Sequence, residues 1–218
     1  MKKIYFLCLL MSVTLGLSSC NLTDSEGPNE LGGSTDIPIA QVGYNFAFSP
    51  NINGVHIDLK DTLEVIKNEG GFQIIKVKAT VPDDPTLQQL ASYLPAFIFD
   101  EPGHINTEFK IKMTSEGIQD FFNSDQKAHT LVKYDCKVGD KYQITKSNGA
   151  TITRTVVAKS DVDDFDYGFY KIKTITVEQE YSSIPGIRKT VYRANHKFGI
   201  VWVSFEMEDG TSNSSYIF

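Results

Sequence analysis

Residues 141–158, KYQITKSNGATITRTVVA, decide the fold. Asn148-Gly149 sits between two β-forming runs, and this pair tolerates the positive φ values that a tight hairpin turn demands. The same punctuation recurs three times. Asp209-Gly210 joins IVWVSFEME to TSNSSYIF, Pro185-Gly186 joins KIKTITVEQEY to IRKTVYRA, and Gly70-Gly71 joins DTLEVIKN to FQIIKVKAT. Repeated hairpin signals predict a mainly β chain: antiparallel hairpins in a curved sheet, arranged as a sandwich or half-barrel, with two short helices.

Working outward, period-two alternation is cleanest at 108–113, where Phe109, Ile111 and Met113 face one way and Glu108, Lys110 and Lys112 the other, as in a half-buried strand. The 198–205 run is apolar on both faces, with Phe198, Ile200 and Trp202 opposed to Val201, Val203 and Phe205. It reads as a central strand covered on both sides. The helices are expected at 85–94, with Pro85 in the first turn and Leu87, Leu90, Ala91 and Leu94 on one face, and at 114–123, capped by Thr114 or Ser115 with Ile118, Phe121 and Phe122 apolar. Pro82, Pro85, Pro95 and Pro102 flank the first helix with stiff irregular chain.

The N-terminus reads differently. Lys2 and Lys3 precede an apolar run from Ile4 to Leu17, too short to span a bilayer, and small Ser18 and Ser19 lead to Cys20. This is the build of a lipoprotein signal peptide over 1–20, with Cys20 as the lipidated residue. Each buried acyl CH₂ contributes about 0.8 kcal/mol, so acyl chains hold a protein on a membrane without a spanning helix. Residues 21–40, NLTDSEGPNELGGSTDIPIA, are polar and rich in Gly, Ser and Pro, and read as a flexible tether. The remainder, 41–218, is one β-rich domain or two lobes, 41–130 and 131–218.

The leader carries Lys2 and Lys3 and no acid, so 19 of the 21 basic residues and all 27 acidic ones belong to the mature chain, a net charge of −8. No basic patch is available for phosphates, which argues against nucleic acid as a partner. With Cys8 in the leader and Cys20 acylated, Cys136 is the one thiol left, and Val132, Tyr134, Cys136 and Val138 share a strand face where it acts as a small buried hydrophobe.

Chemistry-bearing motifs are scarce. His56, His104, His129 and His196 form no metal-ligand spacing. Asp161, Asp163, Asp164 and Asp166 depart from a calcium loop, because Asp166 stands where glycine is needed and Ile172 where glutamate is needed. No nucleophile elbow, phosphate-binding loop or dinucleotide fingerprint occurs. No catalytic residue, cofactor or metal is therefore expected. DDFDYGFY at 163–170 holds the candidate ligand-binding residues: Phe165 and Tyr167 as stacking rings, Asp163 and Asp166 as hydrogen-bonding carboxylates.

The Cys20 leader, the tether, YDCKVGDKYQITKSNGATITRTV at 134–156 and HKFGIVWVSFEMEDGT at 196–211 together resemble the cell-envelope lipoproteins of Bacteroides-type bacteria. The resemblance implies a β-rich domain lipid-anchored to the outer membrane, on its periplasmic or surface face. Asp24 and Glu26, interrupted by Ser25, only partly match the acidic run that such proteins carry for surface display. Three functions are compatible with these residues. A non-enzymatic domain binding a glycan, peptide or envelope protein predicts an exposed aromatic patch. A polymer hydrolase requires a carboxylate of raised pKa in a cleft. A lipid carrier requires a large apolar cavity beneath the 85–94 helix.

Overall fold

The computed structural model describes residues 29–52, 55–56, 62–81, 83, 85–92, 96–123, 125–180 and 186–218. The leader 1–20 with Cys20, the segment 21–28 and Pro185 lie outside the described residues. The described strands are, in the first half of the chain, β1 (Asn45–Ile52), β2 (Val55–His56), β3 (Thr62–Glu69), β4 (Phe72–Thr80), β5 (Phe99–Glu101), β6 (His104–Thr114), β7 (Gly117–Asp120) and β8 (His129–Lys133). The second half supplies β9 (Lys141–Thr145), β10 (Thr151–Lys159), β11 (Phe165–Tyr167), β12 (Tyr170–Ile172), β13 (Ile175–Glu180), β14 (Ile187–Asn195), β15 (Gly199–Met207) and β16 (Ser212–Ile217).

One antiparallel sheet runs β8-β7-β6-β4-β3-β1-β16-β15-β14-β13-β10-β9, with β2 beside β1 and β5 beside β6. β1 joins the halves: Asn45 to Ala47 pair with β3, and Phe48 to Ile52 pair with β16. The end strands β8 and β9 come back together, so the sheet is nearly closed and barrel-like. Inside lies a single apolar core fed by both halves, including Phe46, Val65, Ile75, Ile111, Ile118, Val132, Tyr142, Val156, Val177 and Ala194. Burying an aliphatic side chain of this kind contributes roughly 1.5–3 kcal/mol.

Turn chemistry explains the hairpins, with one refinement. Gly70 and Gly71, at φ 59° and 82°, make the expected two-residue turn between Glu69 and Phe72. The Asn148-Gly149 and Asp209-Gly210 turns are longer by one residue. Lys146 N donates to Ala150 O at 2.8 Å, and Met207 N to Thr211 O at 2.8 Å, enclosing three residues whose last, Gly149 or Gly210, is left-handed.

Four expectations are corrected. The first helix forms, as α1 (Pro85–Ser92), but 114–123 is no helix: it holds the end of β6, a turn and the whole of β7. Thr114 Oγ1 accepts from Glu116 N at 3.1 Å, closing a turn rather than capping a helix. All four residues of β7 are buried, polar Gln119 and Asp120 included, so the period-two contrast that marks a strand is missing. Gly117 is required there, since a Cβ would stand 2.2 Å from Val132 O. Secondly, the described part of the segment read as tether, 29–40, enters the core: Leu31, Ile39 and Ala40 are buried, and Ser34 exchanges hydrogen bonds with Ser115 on the β6–β7 turn. Few apolar residues suffice when the surface they dock on is already formed. Thirdly, β15 is only partly covered on both sides: Val201 and Ser204 are buried, whereas Trp202, Val203 and Phe205 are half-buried. Similarly, the strand carrying Cys136 stops at Lys133; Cys136 is buried beyond it with burial pushing its thiol pKa up, while Val138 is exposed.

The seam between β8 and β9 is closed by side chains. Arg154 Nη2 meets Asp120 Oδ2 at 2.6 Å, its Nε donates to Gln179 Oε1 at 2.8 Å, and its Nη1 donates to the carbonyls of His129 and Thr130 at 3.2 and 3.3 Å. His129 Nε2 donates to Tyr142 O at 3.1 Å, which sets the tautomer because a carbonyl can only accept. Asn29 adds a bridge, taking Thr130 N on its Oδ1 at 3.1 Å and giving its amide hydrogen to Gln143 O.

Candidate functional site

The segment that follows β10 folds back over the outside of the sheet. Ser160 Oγ donates to Asp164 Oδ1 at 2.7 Å, and the chain then turns into the β11–β12 hairpin, in which Phe165 pairs with Ile172, Asp166 with Lys171 and Tyr167 with Tyr170. Gly168 has φ 62° and Phe169 does not share it, the pattern of a two-residue turn with glycine first.

Alternation settles which way the rings face. Phe165, Tyr167 and Ile172 point at the sheet and are buried against Val201, with Phe198, Trp202 and Tyr216 packed around them. The expectation that Phe165 and Tyr167 are exposed stacking rings is therefore corrected: they fasten the flap. Asp163 and Asp166 are exposed, and Asp166 pairs with Lys171 at 3.1 Å in full solvent, where such a pair contributes little.

Tyr167 is the main fastener. Its hydroxyl donates to Ile217 O at 2.8 Å, and its ring lies 5.0 Å from Phe218 and 5.2 Å from Phe198. Burial, with Tyr44 and Tyr170 nearby, pushes its pKa up to about 12. Phe165 stacks on Tyr216 at 5.8 Å, and Tyr216 on Phe218 at 5.8 Å and 11° between planes.

Aromatic surface is presented instead by the turn and its border. Phe169 is wholly exposed at 107%, Tyr170 is 56% exposed and Phe218 41% exposed. Trp202 is half-buried in register with Arg193 and Tyr216 on neighbouring strands. The Arg193 guanidinium lies over the Phe165 and Trp202 rings, 4.7 and 5.2 Å from their centres. Sequence inspection singled out DDFDYGFY but took the wrong pair of rings; in a two-residue hairpin the turn residue projects, and only the pairing shows which ring that is. Arg193 carried no motif at all.

Two other arrangements bear on the hydrolase and lipid-carrier alternatives. The Asp120–Arg154 pair is a polar cluster with every member engaged and side chains only 6% and 4% exposed, so it has the character of a structural lock. His129 beside it is held neutral, its pKa brought down to about 4 by burial and by the Arg154 charge. The carboxylates with displaced pKa values, Asp100, Glu206 and Asp209, all sit below the ordinary range because hydrogen bonds favour their charged forms. On the outer face of β3, β4 and β6 a groove of about 300 Å³ is walled by Glu64, Ile66, Lys76, Lys78 and Glu108, four of the five charged. The Leu87 and Leu90 side chains of α1, and Leu94, lie outside the described residues. Among the described residues no cluster of three His, Cys, Asp or Glu side chains is placed to hold a metal, and no helix is long and apolar enough to cross a membrane.

No protein-family model matches this sequence, and no curated protein does. Among solved structures the chain is similar to a Bacteroides fragilis protein described as exported and as having a YMCC-like fold, with 10% identity, 82% of this chain and 96% of that chain covered, and a TM-score of 0.44.

Proposed function

We propose that this protein is a non-enzymatic recognition domain, lipid-anchored through Cys20 to the outer membrane, and that the aromatic surface around the β11–β12 turn binds a glycan, peptide or protein of the envelope. The observation that carries the reading is Phe169: a phenyl ring fully exposed at the tip of a rigid two-residue turn, with Tyr170 half in solvent beside it, backed by buried Tyr167. Large exposed rings cost solubility and mark interaction surfaces when they cluster. A fixed turn presents them at little entropic cost on binding. The leader and Cys20 support the anchor, because acyl chains need only a tether, not a spanning helix.

The test has two arms. Cells expressing Cys20→Ala should show a chain that no longer takes up labelled fatty acid and leaves the membrane fraction; persistent labelling overturns the anchor. The Phe169→Ser/Tyr170→Ser protein should melt as wild type does and lose retention on immobilised envelope polysaccharide, peptidoglycan or envelope protein. Retention equal to wild type on every support that holds the wild type, or no retention of the wild type on any, overturns this surface as the binding face.

A further inference from the structure

The chain has three arginines, at 154, 188 and 193. Arg154 is paired with Asp120, and Arg188 with Glu206. Arg193 is the exception. Among the described residues no carboxylate pairs with it, and its buried Nε has no hydrogen-bond partner. An unpartnered guanidinium is conspicuous in a chain with 27 acids against 21 bases. What holds it are the rings of Phe165 and Trp202 at 4.7 and 5.2 Å. Aromatic faces attract the cation but take up none of its N–H donors, which lie in the guanidinium plane.

We infer that Arg193 is the anion-binding element of this face and receives a carboxylate carried on a sugar or a peptide, with Trp202 and Tyr216 contacting the group that carries it. The inference rests on the recognition function proposed above and names its chemistry. A planar carboxylate matches the guanidinium fork, and rings that fix the side chain beforehand spare the rotamer freedom it would lose on binding. A single guanidinium matches the one charge of a carboxylate and only part of a phosphate's. Trp202 and Tyr216, paired in register on β15 and β16 and half-buried beside the flap, border the charge. Thr176, opposite Arg193 on β13, adds a hydroxyl to the same row.

Trp202 is the only tryptophan, so its emission reports on the site directly. The mature chain is titrated with four probes: a galacturonate trisaccharide, its neutral methyl ester, trialanine and trialanine amide. A saturable change with at least one acid, weaker by roughly tenfold or more with its neutral counterpart, is expected from the loss of a charged hydrogen bond. R193Q should weaken the acid by roughly ten- to hundredfold, and R193K should fall between, since an ammonium keeps the charge and loses the fork. A response to the sugar acid alone assigns a glycan, to trialanine alone a peptide terminus. No response to either acid, equal binding of an acid and its neutral form, or wild-type binding by R193Q overturns the inference; the first two comparisons need no variant to fold. Equal binding of acid and neutral forms leaves the recognition function standing without the carboxylate.

Discussion

Replacing Asp120 by alanine removes the one carboxylate that, among the described residues, meets the Arg154 guanidinium, at 2.6 Å, between side chains 6% and 4% exposed. A buried charge deprived of its partner costs about 3–5 kcal/mol, most of it the desolvation of the remaining ion. The same change frees Phe122 N, which donates to Asp120 Oδ1 at 3.1 Å. The effect is concentrated at the seam, because Asp120 belongs to β7 while Arg154 belongs to β10 and also holds the carbonyls of His129 and Thr130 on β8. Asp120→Asn keeps the shape and loses the charge, so about 1.5–3 kcal/mol is expected. Asp120→Leu/Arg154→Met removes both ions and should cost clearly less than the sum of its single changes, with a coupling of about 2–3 kcal/mol. Urea unfolding followed by Trp202 emission and by far-ultraviolet circular dichroism measures each term, with coincident transitions and an unchanged m value as the condition. An Asp120→Ala cost below about 1 kcal/mol, or strict additivity in the double replacement, would refute the side-chain closure of the sheet.

Two further outcomes are expected. The fold keeps His129 neutral down to about pH 4, whereas its ordinary value is 6.5; its contribution is therefore full above pH 6.5 and is lost as pH falls toward 4, on the order of 3 kcal/mol in all, and His129→Gln should flatten the stability profile in that window when both proteins are unfolded in urea from pH 7 to 4. In the flap, Phe165→Ala should lower stability by about 2–4 kcal/mol, toward the low end of core truncations because the ring sits at a sheet surface, and Tyr167→Phe by about 1 kcal/mol through the lost bond to Ile217 O; melting temperatures unchanged in both would mean that the hairpin is not packed on the sheet.

How much of this was legible can be judged residue by residue. Glycine at Gly71, Gly149 and Gly210 announces its turn because the left-handed backbone is nearly closed to other residues, and a local steric fact is written in local sequence. Phe109, Ile111 and Met113 announce their strand because one face of it meets water. The sequence by itself thus determined a hairpin-rich antiparallel β chain and the location of the aromatic segment 163–170. It could not show β7, whose Gln119 and Asp120 are buried and satisfied by β8, Asn29 and Arg154, since polarity then no longer tracks exposure. Nor could it show that Leu31 and Ile39 dock, that Phe165 faces in while Phe169 faces out, or that Arg193 stands against Trp202 with no carboxylate of the described residues paired to it. Each of these depends on which strands become neighbours. Pairing between residues far apart in the chain is decided by closure of the whole sheet, where loop entropy, buried area and hydrogen bonds are balanced together, and no single segment carries that information.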